Sequence, residues 1–298
     1  MKSLAGLFTA LVTPFKHGEI DWPSFERLLT IQFKSSIDGF VVNGTTAESP
    51  NLDRSEVELL IKKTRQIIGH DKTLMVGTGS NSTAKTIEMT KWAQAHGADA
   101  ALVVVPYYNK PTQEGIFQHF KSVAENCQLP IMLYNIPGRT VVGMEVETIR
   151  RLSEIKNIVA IKEATGDMVF ARQILQSVDP EFIVSSGDDG TALELINLGG
   201  KGCVSVLSHV APDEFAGMLD LAKTQYEKAK ENWVKLDKLT SLLFCEPNPT
   251  PVKKALQLLG VIDSADVRLP LLEMTEKNTA LLKQELEKVN LSEWREWK

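Results

Sequence analysis

Cysteine is scarce in this chain of 298 residues, and the three present, Cys127, Cys203 and Cys245, are odd in number, far apart and without metal-ligand spacing. That excludes a disulfide framework and fits reduced thiols in a cytosolic protein, with Cys203 reading as core. The five histidines form no cluster. Asp188-Asp189 has no His or Glu at ligand spacing and reads as a helix N-cap, not a metal site. No apolar run approaches the roughly 18 residues that a membrane span requires. Met1-Lys2-Ser3 followed by Leu4 to Val12 has the basic and apolar parts of a secretory signal, but no small-x-small cleavage pattern follows, and Thr13-Pro14-Phe15 reads as a strand entering a loop. Basic excess is also missing: 33 Lys and Arg stand against 38 Asp and Glu, net charge -5, with the cations scattered. That argues against nucleic acid as partner and for small-molecule chemistry. Gly77-Thr78-Gly79-Ser80-Asn81-Ser82 lacks the third glycine of a dinucleotide-binding turn, and Gly199-Gly200-Lys201-Gly202 precedes a strand, where a tight turn is expected. There are no internal repeats.

Short apolar runs, by contrast, are plentiful. They recur at Leu7 to Thr13, Gly39 to Gly44, Leu74 to Gly77, Ala100 to Val105, Ile131 to Tyr134, Ile158 to Lys162, Phe182 to Ser185 and Gly202 to Val206. Helical periodicity fills the gaps, as in Asp53 to Ile68 and Thr83 to Ala95, with Asp53 and Thr83 as expected N-caps. Strict alternation of strand and helix demands a parallel sheet, and eight units in about 210 residues fit an α/β closed (β/α)8 TIM barrel better than an open doubly wound sheet. From Ala211 the strands stop and helical spacing continues. Glu246-Pro247-Asn248-Pro249-Thr250-Pro251 interrupts it, and a helix is expected to resume at Val252. The expected organisation is a catalytic barrel over residues 1–225 followed by a C-terminal helical extension over 226–298.

Lys162 is the residue with least structural reason to be where it is. The buried run Ile158-Val159-Ala160-Ile161 leads straight into it. Burial of a lysine disfavours its charged form, and a neutral amine can attack a ketone to form a Schiff base; the plain alternative is a strand-end lysine reaching water. The preceding strand ends Tyr134-Asn135-Ile136-Pro137-Gly138-Arg139-Thr140. Tyr134 could shuttle a proton at a carbinolamine, and Arg139 could hold a carboxylate through paired hydrogen bonds. Hydroxyls and amides of Asn43 to Ser49, after the second strand, could receive another carboxylate. In a parallel barrel these strand ends share one rim, where catalytic groups lie.

These blocks, in this order and over nearly the whole chain, carry a resemblance. Gly44-Thr45-Thr46-Ala47-Glu48-Ser49, Tyr107-Tyr108-Asn109-Lys110-Pro111, Tyr134 to Thr140, Ile161-Lys162-Glu163-Ala164-Thr165-Gly166, Ser186-Gly187-Asp188-Asp189 and Glu246-Pro247-Asn248-Pro249 resemble the dihydrodipicolinate synthases of the pyruvate-dependent class I aldolase superfamily. The resemblance implies that Lys162 forms the Schiff base and that Tyr134, Thr45 and Tyr108 relay protons, with Tyr108 supplied across a subunit interface. It implies that Thr46 binds the pyruvate carboxylate, Arg139 orients the aldehyde, and Gly187 and Val204 line the pocket. The implied reaction joins pyruvate to L-aspartate 4-semialdehyde to give 4-hydroxy-tetrahydrodipicolinate, the committed step of diaminopimelate and lysine biosynthesis. It runs without metal or cofactor, in a cytoplasmic homotetramer built as a dimer of dimers. Sister activities, N-acetylneuraminate lyase or 2-keto-3-deoxy-sugar-acid aldolase, would need hydroxyl-binding groups in place of Arg139. A catalytically silent barrel would be expected to have lost Lys162, Tyr134 or Thr45.

Two departures from the family stand out. Ala47 replaces the usual glycine, which removes easy access to positive φ; a negative φ is expected there. In lysine-inhibited members an acidic residue after the third strand receives the effector's ammonium and two histidines line its pocket. Here Lys85 takes the acidic position and Arg54 and Val57 the histidine positions, while Tyr107 and Asn81 remain.

Overall fold

The computed structural model describes residues 2–288, so Met1 and the last ten residues of the expected 226–298 helical unit lie outside the described residues. Eight parallel strands close a barrel: β1 Gly6–Ala10, β2 Gly39–Val42, β3 Thr73–Gly77, β4 Ala100–Val104, β5 Ile131–Asn135, β6 Ile158–Glu163, β7 Ile183–Ser186 and β8 Gly202–Ser205. Each falls on one of the apolar runs. Strand side chains alternate, so one set fills the barrel and the other meets the helices. Phe8, Met75, Leu102, Met132 and Val204 pack inside as a separate cluster, while Leu7, Phe40, Leu74, Leu133 and Ile161 join the larger core under the helices. Closure brings β8 against β1, with Gly6 opposite Gly202. A Cβ on Gly202 would lie 2.2 Å from the Gly6 carbonyl oxygen, so the seam requires glycine.

The helices are α1 Trp22–Lys34, α2 Arg54–Ile68, α3 Thr83–Ala95, α4 Gln113–Glu125, α5 Val146–Ser153, α6 Met168–Ser177 and α7 Ala192–Asn197, followed by α8 Pro212–Ala222, α9 Tyr226–Leu243, α10 Thr250–Leu258 and α11 Glu276–Lys288. Asp53 caps α2 in a reciprocal box with Glu56. The cap of α3 is Ser82, one residue before the expected Thr83: Ser82 is still extended (φ -121°, ψ 120°) and its side chain accepts from Lys85 N–H.

Three local expectations change. β1 stops at Ala10 instead of running to Thr13, because Val12 N–H is taken by His209 Nε2 at 3.1 Å and leaves the ladder. A short hairpin, Phe15–Lys16 with Glu19–Ile20, follows it and was not expected. Helix resumes at Thr250, two residues before Val252, since Pro251 falls in the first turn, where its missing N–H costs nothing. No described helix is long and apolar enough to cross a membrane.

Candidate active site

β5 and β6 run in register with Tyr134 opposite Lys162, so both side chains enter the barrel at the same height near the C-terminal rim. Lys162 Nζ lies 4.3 Å from the Tyr134 ring centre. Lys162 is 7% exposed and Tyr134 6%. The expected strand-end pair is therefore a buried contact, not a lysine reaching water. On the other side of β6, Ser185 of β7 is the register partner of Lys162. Its hydroxyl is buried and has no hydrogen-bond partner among the described residues. Two residues on, Gly187 leaves room for the lysine: a Cβ there would lie 2.7 Å from Lys162 Cε. Val204, 2% exposed, packs in the same interior cluster.

The loop after β2 forms two 3-10 turns, Thr45–Ala47 and Ser49–Asn51, the first closed by Ala47 N–H to the Gly44 carbonyl at 3.1 Å. Ala47 is not among the residues with positive φ; that conformation falls on Glu48, at φ 59°. The alanine is thus tolerated, as expected. Thr46 is 4% exposed, and its Oγ1 accepts from Asn248 Nδ2 at 2.8 Å. Beneath the loop, Lys253 Nζ donates to Glu48 Oε1 at 2.5 Å and to the Asp266 carbonyl at 2.9 Å, above the Phe15 ring. Both charged side chains are fully buried. Burial pulls Lys253 down to about 8, against the attraction of Glu48.

After β5 the chain makes a single helical turn, Pro137–Thr140, carrying an exposed Arg139. A cavity of about 760 Å³ opens here. Thr45, Tyr134, Tyr107 and Arg139 line it, and it runs on to Lys85 and Glu88 beside α2 and α3. Lys162, Thr46, Gly187 and Val204 are not among its walls; the lysine meets it through Tyr134, which is. Tyr108 stands apart. It is 85% exposed at φ 72°, and among the described residues no hydrogen bond joins it to Tyr134 or Thr45.

Sequence reasoning passed over several buried groups. Asp188 does cap the turn that follows, its Oδ2 accepting from Thr191 N–H at 3.1 Å. Asp189 does something else: it is buried and accepts from Val206 and Leu207 N–H at 3.0 and 2.9 Å, fixing the chain after β8. Burial raises its pKa, and burial then Asp189 push the Cys203 thiol well up. Glu163, beside the lysine, is 3% exposed, and burial raises it too. Lys253 left one faint signal, a charge within the spacing of buried Val252, Ala255 and Leu256. Ser185 left none, being a small residue in an apolar run.

A closed parallel barrel whose C-terminal rim buries a lysine against a tyrosine, below a cavity with an arginine at its mouth, defines a lysine-dependent aldolase-type barrel enzyme. Residues 3–289 match the model of the Dihydrodipicolinate synthetase family. The chain is 50% identical to the 4-hydroxy-tetrahydrodipicolinate synthase of Bdellovibrio bacteriovorus, over 98% of this chain and 100% of that one. Among solved structures it resembles the chloride-inhibited dihydrodipicolinate synthase of Acinetobacter baumannii complexed with pyruvate, with 41% identity, TM-score 0.94, and 97% and 100% of the two chains covered. A monomeric dihydrodipicolinate synthase variant is equally similar: 41% identity, TM-score 0.94, coverage 96% and 97%. The chain belongs to the dihydrodipicolinate synthetase family.

Proposed function

We propose that this enzyme condenses pyruvate with L-aspartate 4-semialdehyde to give 4-hydroxy-tetrahydrodipicolinate, the entry to diaminopimelate and lysine biosynthesis. The observation that carries the reading is the Lys162 amine held 4.3 Å from the Tyr134 ring centre at the inner end of β6. In this reading Lys162 attacks the pyruvate ketone to give a carbinolamine, which loses water to form the imine; a proton then leaves the pyruvate methyl group. The resulting enamine carbon adds to the aldehyde, and ring closure by the substrate's amino group frees Lys162. Tyr134 moves the protons, together with Thr45 and with Tyr108.

Thr46 and the amides of its turn receive the pyruvate carboxylate, a role supported by the hydrogen bond from Asn248 that holds its hydroxyl. Arg139 takes the carboxylate of the semialdehyde at the cavity mouth, as its exposed position on the lining supports. Gly187 and Val204 complete the pocket around the lysine stem. Tyr108 serves the site of a second copy, in a cytoplasmic homotetramer made of two dimers, a role supported by its exposure and by its having no hydrogen bond to Tyr134 or Thr45 among the described residues. A sugar-acid aldolase is disfavoured because a guanidinium at the mouth suits a short carboxylate more than a run of hydroxyls.

The test is reductive trapping. Borohydride with pyruvate should fix an adduct on Lys162 and abolish activity, because only an imine is reduced to a stable amine. Full activity after treatment, or an adduct on another lysine, sinks the reading. Arg139→Ala should still trap pyruvate while losing condensation.

A further inference from the structure

Asn135 and Glu163 end β5 and β6, each one residue beyond the active pair, and they are register partners. Successive strand side chains alternate, so these two point away from the barrel interior that Tyr134 and Lys162 enter. They form a chain of three hydrogen bonds. Thr165 N–H donates to Glu163 Oε1 at 2.6 Å. Asn135 Nδ2 donates to Glu163 Oε2 at 2.7 Å. Met144 N–H donates to Asn135 Oδ1 at 3.0 Å. Both side chains are buried, at 1% and 3% exposure. One end of the chain is the turn that follows Lys162; the other is the far side of the loop that carries Arg139.

That loop does not hold its shape unaided. Val141 sits at φ 70°, a conformation that β-branched residues resist, and such strain persists only where the surroundings over-determine it. Thr140 Oγ1 donates across the turn, 2.7 Å from the Val142 carbonyl, and Gln113 Nε2 holds the Gly143 carbonyl at 2.9 Å. Gly143 passes so close that a Cβ on it would lie 3.1 Å from Asn135 Oδ1.

The hydrogen-bond pattern is restrictive. Both ends are backbone N–H groups, which only donate. Between them one carboxylate and one amide are needed. Two amides leave a donor facing a donor, and two carboxylates set anion against anion, so that one of them must take up a proton. Exchanging the two groups keeps every bond. An amide at position 163 accepts from Thr165 N–H through its oxygen and donates through its nitrogen to a carboxylate at position 135, which also accepts from Met144 N–H.

We propose that the Asn135–Glu163 pair is the positioning device for the aldehyde substrate, locking the Arg139 loop to the strand that carries Lys162. The pair thereby sets the distance between the imine and the guanidinium. This rests on the reading of Lys162 and Arg139 given above. The experiment compares Asn135→Asp, Glu163→Gln and the double exchange in the intact enzyme. Two readouts are used: kcat/KM for the semialdehyde, and the rate of borohydride trapping of pyruvate, which does not involve Arg139.

Each single variant should lose roughly 10- to 100-fold in kcat/KM for the aldehyde, mainly through KM, as expected for a hydrogen bond to a charged group. Pyruvate trapping should stay within a few-fold. The double exchange should return to within about threefold of the unmodified enzyme. A single variant that fails to fold counts as a loss, and the double must then fold. The proposal is overturned if the single variants keep their aldehyde kinetics, if the double is no better than the worse single, or if trapping falls in step with condensation. Absence of trapping in the unmodified enzyme strikes the Lys162 reading instead; loss and recovery of thermal stability across the three variants then decides whether the chain of bonds exists.

Discussion

Replacing Lys253 by methionine tests how the C-terminal helices support the loop proposed to receive pyruvate. The ammonium is fully buried, donates to Glu48 and to the Asp266 carbonyl, and lies 4.2 Å from the Phe15 ring centre. Methionine fills similar space but leaves the Glu48 carboxylate, among the described residues, with only Arg268 N–H at 2.9 Å and Asn51 Nδ2 at 3.4 Å. An exposed pair would contribute less than about 1 kcal/mol, whereas breaking a buried one costs about 3–5 kcal/mol, because an uncompensated charge remains. At roughly 1.6 °C per kcal/mol for a chain of this size, the melting temperature should fall by about 5–8 °C. Glu48 also holds the left-handed turn directly after Thr45–Ala47, so KM for pyruvate should rise by about tenfold, equivalent to ~1.4 kcal/mol. The assay is a thermal melt beside initial rates at varied pyruvate, with Glu48→Gln/Lys253→Met as control. Removing both charges should recover most of the stability. A melting temperature within about 2 °C of the unmodified enzyme, or a double variant less stable than Lys253→Met, would refute the argument.

Acid should destabilise the fold through buried neutral histidines. Burial lowers His209 and His119 to about 4, and His209 accepts from Val12 N–H through Nε2 while its Nδ1 meets the Val206 carbonyl at 2.9 Å. Unfolded, each titrates near 6.5, so between these values only the unfolded chain gains protons. Stability present above pH 6.5 is therefore lost on acidification, by ~2 kcal/mol per histidine at pH 5. Urea midpoints at pH 7, 6 and 5 should fall accordingly, and His209→Gln should flatten the trend; an unchanged trend in that variant contradicts it. If Tyr108 completes a neighbour's relay, mixing inactive Tyr108→Phe with inactive Lys162→Ala subunits should restore part of the activity; hybrids that exchange subunits and stay inactive would place the relay within one chain. L-lysine should not inhibit. Lys85 is exposed on the cavity wall, and Arg54 is paired with Glu88 at 2.6 Å over Trp92. A second ammonium 4 Å from Lys85 meets ~4 kcal/mol of repulsion at an effective dielectric near 20, less where solvent screens it. Saturable inhibition below about 1 mM would show this to be wrong.

The barrel and the composition of its rim are legible in the order of residues alone. A strand buried on both faces must be a short apolar run, and a crossover must be amphipathic, so eight strands and their order follow from spacing. The lysine–tyrosine pair at the rim comes with them, because Lys162 and Tyr134 interrupt apolar runs at their ends. Local chemistry is legible to within a residue: Asp53 with Glu56 caps α2, while the cap of α3 moved by one to Ser82. What holds the site in place emerges only on folding. Asn248 reaches Thr46 across 202 residues of chain, and Lys253 reaches Glu48 across 205. The close of β1 depends on a histidine after β8, and the role of Asp189 on amides 17 and 18 residues away. A hydrogen bond acts over about 3 Å of space, and its strength carries no record of chain separation. Periodicity reports which face of an element is buried; which buried polar groups then meet is settled only when the barrel closes and the C-terminal helices dock beneath its rim.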